Sequence, residues 1–197
     1  MPSVSPIALA AVSPVATTGV LLVALGNGFC HDDGVGPAVV ESALQMSEGS
    51  ELGPAIRAAG TDGSPLSLLD IFDEDRRSGH DRLLVVVDAL CSGRPPGSIT
   101  MTWLGTAAPP STLGEGGQSA PSTHGLGFAQ VYRLAACMSL LPEHMALIGV
   151  EGADFSKGEG LSPAVTAAVA PAARLVLRVA EAALAGPSPL GSSLWGD

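Results

Sequence analysis

Three side chains suited to metal binding, Asp33, Asp88 and His124, lie where the sequence predicts that strands end or a helix begins. Asp33 follows the first predicted strand, and Asp88 lies near the end of the strongest one. If these strands are parallel, their carboxyl ends share one edge of a sheet, which would bring the two carboxylates together. Clustered carboxylates repel each other unless a proton or cation lies between them. With the imidazole of His124, they predict a divalent-metal site with open coordination positions.

These residues also have plain structural interpretations. Asp32 and Asp33 both precede a predicted helix and are candidates for its N-cap, a role that we favour for Asp32. Asp88 also fits a polar strand end bonded to backbone amides, and His124 fits an ordinary helix-start residue. Spacing alone leaves both interpretations open.

Further ligands are available near the predicted site. Cys30 and Cys91 each lie three residues from an acid, although we expect both to be small buried side chains. His31 adjoins the acids in a loop and is a better candidate for an additional ligand. The remaining cysteine and histidines are expected elsewhere, in the core for Cys137 and on the surface for His80 and His144.

Charge and motifs argue against several other functions. The formal net charge of −10 repels phosphate backbones, so no nucleic-acid partner is expected. Gly26-Asn27-Gly28 lacks the third glycine of a dinucleotide-binding loop and the Lys-Ser/Thr pair of a phosphate-binding loop. The neighbouring Asp32-Asp33 would repel phosphate as well. Nucleotide binding is therefore not expected.

Compartment signals favour a cytoplasmic protein that does not bind membranes. The apolar run Val20–Leu25 is too short to cross a bilayer, and the chain has no polybasic patch. The first basic residue is Arg57, which argues against a secretory or twin-arginine signal. The three cysteines form no CxxC pair and fit a reducing compartment. We expect a soluble monomer.

The order of predicted elements indicates one α/β domain over residues 19–185, between a flexible leader (1–18) and a flexible tail (186–197). Strands alternate with helices, which predicts a three-layer architecture: a twisted, mostly parallel mixed sheet of about five strands with helices on both faces. Strand 99–104 follows its predecessor after about eight residues, too few for a parallel crossover, so it is predicted antiparallel to its neighbour. Strands are predicted at 19–26, 55–60, 82–90, 99–104 and 145–151, and helices at 34–47, 65–75, 125–140 and 163–184.

At these residues the chain resembles the hydrogenase maturation endopeptidases, which trim the C-terminus of nickel-iron hydrogenase large subunits. The resemblance rests on short motifs that occur in order from Val20 to about Leu184. The motifs are Gly26-Asn27, Asp32-Asp33-Gly34-Val35-Gly36, Gly60-Thr61, Val85-Val86-Val87-Asp88-Ala89 with Gly93 and Pro96-Gly97, His124-Gly125-Leu126, Leu147-Ile148-Gly149-Val150 and Gly160-Leu161-Ser162-Pro163.

The resemblance implies roles for particular residues. Asp33, Asp88 and His124 occupy the positions that bind metal in the family. The implied activity is hydrolysis of one peptide bond in a large-subunit precursor that already carries nickel, so the metal arrives with the substrate and no organic cofactor is expected. The implied fold, a twisted mixed sheet between helices, agrees with the predicted layers.

Two rival functions remain open at this stage. Ala58-Ala59 stands where many relatives have an acid, and the leader is an addition to the family pattern. A non-catalytic metal-sensing binding protein or chaperone for the large subunit fits these departures. A metal-dependent hydrolase of small molecules is the third interpretation.

Overall fold

The computed structural model describes residues 17–61, 64–79, 82–106 and 127–186. These ranges contain β1 (Gly19–Ala24), α1 (Val35–Ser47), β2 (Ile56–Ala59), α2 (Ser67–Ser78), β3 (Arg82–Leu90), β4 (Ile99–Leu104), α3 (Phe128–Cys137), β5 (Met145–Glu151) and α4 (Pro163–Ala185). Short 3-10 helices at His31–Gly34 and Gly53–Ala55 precede α1 and β2. Most of the predicted leader and tail, His80 and His124 lie outside the described residues.

The five strands form one mixed sheet in the order β2-β1-β3-β5-β4. β1 is parallel to β2 and β3, β3 is parallel to β5, and β4 is antiparallel to β5. The predicted fold class and the antiparallel direction of β4 are confirmed. The neighbour of β4 is β5 rather than β3, which precedes it in the chain, because the later strand lies between the two.

Alternating side chains of the central strands belong to two separate hydrophobic clusters, one on each face of the sheet. Leu22 and Val85 belong to the cluster that includes the buried residues of α1 and α4. Val23 and Val86 belong to the cluster that includes those of α2 and α3. Because strands buried on both faces need apolar residues at every position, this arrangement explains their continuous apolar runs.

The ends of α4 confirm the sequence prediction. Ser162 is its N-cap residue, Pro163 its first residue, and Gly186 follows it with a φ of 66°. No helix in the described ranges combines the length and apolarity needed to span a bilayer.

The spacing of apolar residues predicted a buried face of α3 made of Phe128, Val131, Leu134 and Ala135, and the observed face differs from it at position 134. Tyr132 is buried, whereas Leu134 is 41% exposed. The prediction that Cys137 belongs to the core is wrong, since its thiol is exposed. The buried stripe follows positions 128, 131, 132 and 135, a helical repeat that turns positions 134 and 137 away from the sheet.

Candidate functional site at the carboxyl edge of the sheet

Two glycines allow α1 to start close to the carboxyl ends of β1 and β3. A Cβ on Gly36 would lie 2.1 Å from the carbonyl oxygen of Leu25 and 2.8 Å from that of Val87, so the helix can approach these strands only without a side chain there. Gly26 has a φ of +108°, and its Cβ would lie 1.8 Å from the carbonyl oxygen of Asp33. The tight turn and the close helix place Asp33 beside the end of β3.

Asp33 and Asp88 lie close enough for their charges to interact. Oδ2 of Asp33 accepts the backbone N–H of Asn27 at 2.7 Å, and Oδ1 of Asp88 accepts that of Ala89 at 2.9 Å. Burial, and then the negative charge of Asp33, raise the pKa of Asp88 from its ordinary 3.8 to about 7, against the opposing effect of the Ala89 hydrogen bond. We call Asp33 and Asp88 the paired carboxylates; at neutral pH they favour a shared proton or cation.

The third predicted ligand, His124, lies outside the described residues, so its place beside the paired carboxylates stays a prediction. Within the described ranges no group of three or more His, Cys, Asp or Glu side chains is arranged to hold a metal ion. The two carboxylates still fit the oxygen part of a metal site, because the raised pKa of Asp88 marks a position where positive charge is stabilising.

Asp32 has a different environment from its neighbour. Its side chain is fully buried, with Oδ2 accepting the N–H groups of Ala153 (2.8 Å) and Asp154 (3.0 Å) and Oδ1 accepting that of Ser162 (2.6 Å). Burial alone would raise the pKa of Asp32, but these backbone hydrogen bonds outweigh it and hold the pKa below its ordinary value.

The favoured prediction that Asp32 caps the helix after it is wrong. No side chain caps the start of α1, and the Asp32 carboxylate instead fixes the segment between β5 and α4. Asp33 does not cap α1 either, because its carboxylate bonds to Asn27. The backbone N–H groups that bind Asp32 lie more than a hundred residues along the chain, so no local sequence pattern reveals them.

Glu151 is a second backbone-bound carboxylate, and it has no counterpart among the sequence predictions. It is 2% exposed. Its Oε1 accepts the N–H groups of Ser92 (2.6 Å), Gly93 (2.8 Å) and Arg94 (3.2 Å), and its Oε2 accepts the Ser92 hydroxyl at 2.7 Å. The available signal was an acid at the end of an otherwise apolar strand. Glu151 thereby fixes the turn that follows β3 and Asp88.

The additional candidate ligands have separate positions. Cys30 is buried as predicted, whereas the prediction that Cys91 is buried is wrong, because Cys91 is exposed. The His31 ring lies against the backbone of the segment after β5, with Nδ1 3.0 Å from the carbonyl oxygen of Gly160. His144, predicted at the surface, is half-buried, and its side chain is 19% exposed.

The ends of β1 and β2 are tied together near the site. The Thr61 hydroxyl donates to the carbonyl oxygen of Ala24 at 2.7 Å. Gly60-Thr61 is one of the motifs singled out in the sequence. Its hydrogen bond holds the end of β2 against the end of β1, the strand that leads to Asp33.

A parallel-stranded α/β sheet with acidic side chains at its carboxyl edge defines a protein that binds its ligand beyond the strand ends. The model of the family described as HycI, hydrogenase maturation protease, matches residues 54–179, a range that includes Asp88 and position 124 and excludes Asp33. The chain belongs to the hydrogenase maturation protease family, whose members are hydrolases.

Individual relatives agree with this assignment. The chain is 33% identical over 159 residues to the hydrogenase expression/formation protein HupD of Thiocapsa roseopersicina, a match that covers 80% of this chain and 66% of the relative, just under two thirds. HupD of Rhizobium leguminosarum bv. viciae is 32% identical over 154 residues, covering 78% and 69%. The structure of the hydrogenase maturating endopeptidase HybD from E. coli shares the fold, with a TM-score of 0.59, 24% identity and coverage of 82% and 91%.

Proposed function

We propose that this chain is an endopeptidase that removes a C-terminal peptide from a nickel-loaded hydrogenase large-subunit precursor. In this proposal Asp33, Asp88 and His124 bind the nickel that the precursor carries. Family membership supports the class of reaction. The observation that carries the site assignment is the position of Asp33 and Asp88 at one edge of the sheet, where burial, and then the charge of Asp33, raise the pKa of Asp88 to about 7.

The paired carboxylates give a physical basis for sensing the metal. Without a cation, burial and then the charge of Asp33 favour a proton on Asp88 below about pH 7. A divalent ion brought by the precursor replaces that proton and removes the repulsion between the two carboxylates. The precursor that carries nickel is therefore bound more tightly than the same precursor without it.

Hydrolysis then requires activation of one water molecule near the bound metal. A carboxyl group with a pKa about 7 is matched to accept a proton from water and return it to the leaving amine at neutral pH. Because Asp88 is a ligand of the nickel in this proposal, it takes this role only after the metal releases it. The alternative route, polarisation of the scissile carbonyl by the precursor's own nickel, uses the same three side chains as ligands.

The test is cleavage of nickel-loaded precursor by the full chain, followed by intact mass. We expect the wild-type protein to remove the terminal peptide and Asp88→Asn and His124→Ala to lose at least about 100-fold in rate. Asp70→Asn is the matched control, because Asp70 is exposed on α2. Unchanged mass loss in both site variants would refute the site assignment. Stable binding of the precursor by the wild type without any mass loss would favour the non-catalytic chaperone instead.

A further inference from the structure

A large aromatic side chain extends into solvent from the same loop that carries Asp33. Phe29 is 69% exposed, whereas the four other exposed large apolar side chains of the described residues are 41–53% exposed: Met46, Leu66, Leu134 and Met138. Single exposed apolar side chains are common on protein surfaces. Phe29 differs in being aromatic, in its greater exposure and in its place in the loop of the candidate site, and aromatic residues are frequent among binding hot spots.

The backbone at Phe29 is held in place on both sides. Its N–H donates to Oδ1 of Asn27 at 3.0 Å, and its carbonyl oxygen accepts the N–H of Gly158 at 2.9 Å. The next residue, Cys30, is buried and donates its N–H to the carbonyl oxygen of Asn27 at 3.0 Å. The backbone N–H and carbonyl groups of Phe29 therefore both have hydrogen-bond partners within the chain. The part of Phe29 that remains available for contact with a partner is its ring.

A fixed backbone changes what the ring can contribute to binding. Association loses free energy when a loop has to be ordered, and a loop that is already hydrogen-bonded avoids most of that loss. An aromatic ring buries a large apolar area while losing little rotamer freedom, which is why aromatic residues are frequent among binding hot spots. Phe29 combines both properties.

We propose that Phe29 is a docking anchor that inserts into an apolar recess of the large-subunit precursor, close to the metal-bearing region that the paired carboxylates bind. This inference rests on the proposed function. Phe29 lies four residues before Asp33, so in this proposal a single partner surface covers both the ring and the carboxylates. Phe29 thus acts in binding and specificity and has no part in breaking the peptide bond.

Met46 provides a matched control because it is an exposed apolar residue at the other end of the molecule. α1 has 13 residues, which corresponds to about 20 Å, and it begins at the carboxyl edge of the sheet. Met46 lies in its last turn, so it is remote from the paired carboxylates.

The experiment measures binding and cleavage of nickel-loaded precursor by the wild type, Phe29→Ala, Phe29→Leu and Met46→Ala. We expect Phe29→Ala to raise Kd and KM about ten- to hundredfold, as loss of a buried aromatic contact implies, while kcat at saturation changes little. Phe29→Leu, which keeps an apolar side chain, restores part of the affinity. Met46→Ala matches the wild type. Thermal unfolding checks that each variant is folded.

Two results would overturn the anchor. In the first, Phe29→Ala has the same Kd and KM as Met46→Ala. In the second, Phe29→Ala has a lower kcat while its KM is unchanged. In both cases a wild-type protein that cuts the precursor leaves the proposed function intact. A wild type that neither binds nor cuts the precursor refutes the proposed function and the anchor with it.

Discussion

Asp32 and Asp33 are neighbours in the chain and have opposite electrostatic environments. The carboxylate of Asp32 accepts three backbone N–H groups, and its pKa is lowered. Asp33 faces another acid, Asp88, whose pKa is raised to about 7. Glu151 at the end of β5 repeats the first arrangement, with three N–H donors and a hydroxyl.

The contrast shows how acids at the same edge of a sheet can differ in the stabilisation of their negative charge. Asp32 and Glu151, the backbone-bound carboxylates, have enough donors to stabilise the charge, and they fix loops in return. Asp88 has fewer donors: among the described residues its carboxylate accepts one hydrogen bond, from Ala89. The negative charge of Asp88 is therefore poorly stabilised, and a proton or a cation compensates it.

The largest expected effect is that of Asp32→Ala. It removes the shared acceptor of three partly buried backbone N–H groups and empties a fully buried position, and we expect a loss of about 3–5 kcal/mol in the free energy of unfolding. Denaturant titration by circular dichroism measures it, with Asp70→Ala as the exposed control. An Asp32→Ala protein as stable as that control would contradict the structural role.

Gly36→Ala tests whether the paired carboxylates depend on the close approach of α1. The added methyl group would lie 2.1 Å from the Leu25 carbonyl oxygen, so the helix must shift, at a cost of about 2–4 kcal/mol. Gly28→Ala is the control, since no atom lies within 4 Å of a Cβ at that position. Equal unfolding midpoints for the two variants would mean that the helix start tolerates a side chain.

Glu151→Gln keeps the shape of the side chain and replaces an acceptor oxygen by a donor amide. We expect a loss of about 1–3 kcal/mol, because a charged acceptor for several N–H groups is removed. Hydrogen exchange gives the more specific readout: the amides of Ser92 and Gly93 exchange faster than in the wild type, while those of Ala153 and Asp154 do not change. Uniform acceleration at both sites would indicate global destabilisation instead.

The smallest effect is one whose size depends on pH. The raised pKa of Asp88 means that its contribution to stability is present below pH 3.8 and is lost as the pH rises through about 7. Asp88→Asn should therefore stabilise the protein by about 1–2 kcal/mol at pH 8, a figure reduced for solvent screening of the half-buried group, and have little effect near pH 4.

Asp32→Asn should show the opposite dependence. The lowered pKa of Asp32 stabilises the fold above pH 3.8, and that contribution disappears as the pH falls through the folded-state pKa. The variant is thus least stable relative to the wild type at neutral pH. Thermal melts of both variants from pH 4 to pH 8 distinguish the two acids. If the stability of Asp88→Asn and Asp32→Asn relative to the wild type changed with pH in the same direction, the two carboxylates would not differ as proposed.

Local sequence patterns were sufficient to predict most of the strands and helices. The observed bounds of β3, β4 and β5 equal the predicted ones, because continuous or alternating apolar runs fix where a buried strand can lie. Ser162-Pro163 predicted the start of α4. The position of β4 beside β5 was not predictable, since pairing between strands far apart in the chain leaves no mark on either strand alone.

The site was predictable only in part. The meeting of Asp33 with Asp88 followed from the rule for carboxyl ends of parallel strands, and the coupling of their charges agrees with it. The roles of Asp32 and Glu151 did not follow, because their donors are backbone groups of distant loops. The family model and the relatives confirm the family that the motifs indicated.

The hydrogen bonds of Asp32 also determine when, during synthesis of the chain, its loop can be completed. Its partners lie 121, 122 and 130 residues later in the chain, so a ribosome has to make the chain through Ser162 before this carboxylate meets all of them. Until then the nascent chain carries an acidic loop without its final support. The edge that bears Asp33 is therefore completed long after Asp33 itself has been synthesised, and a shorter nascent chain lacks the hydrogen bonds that hold this loop.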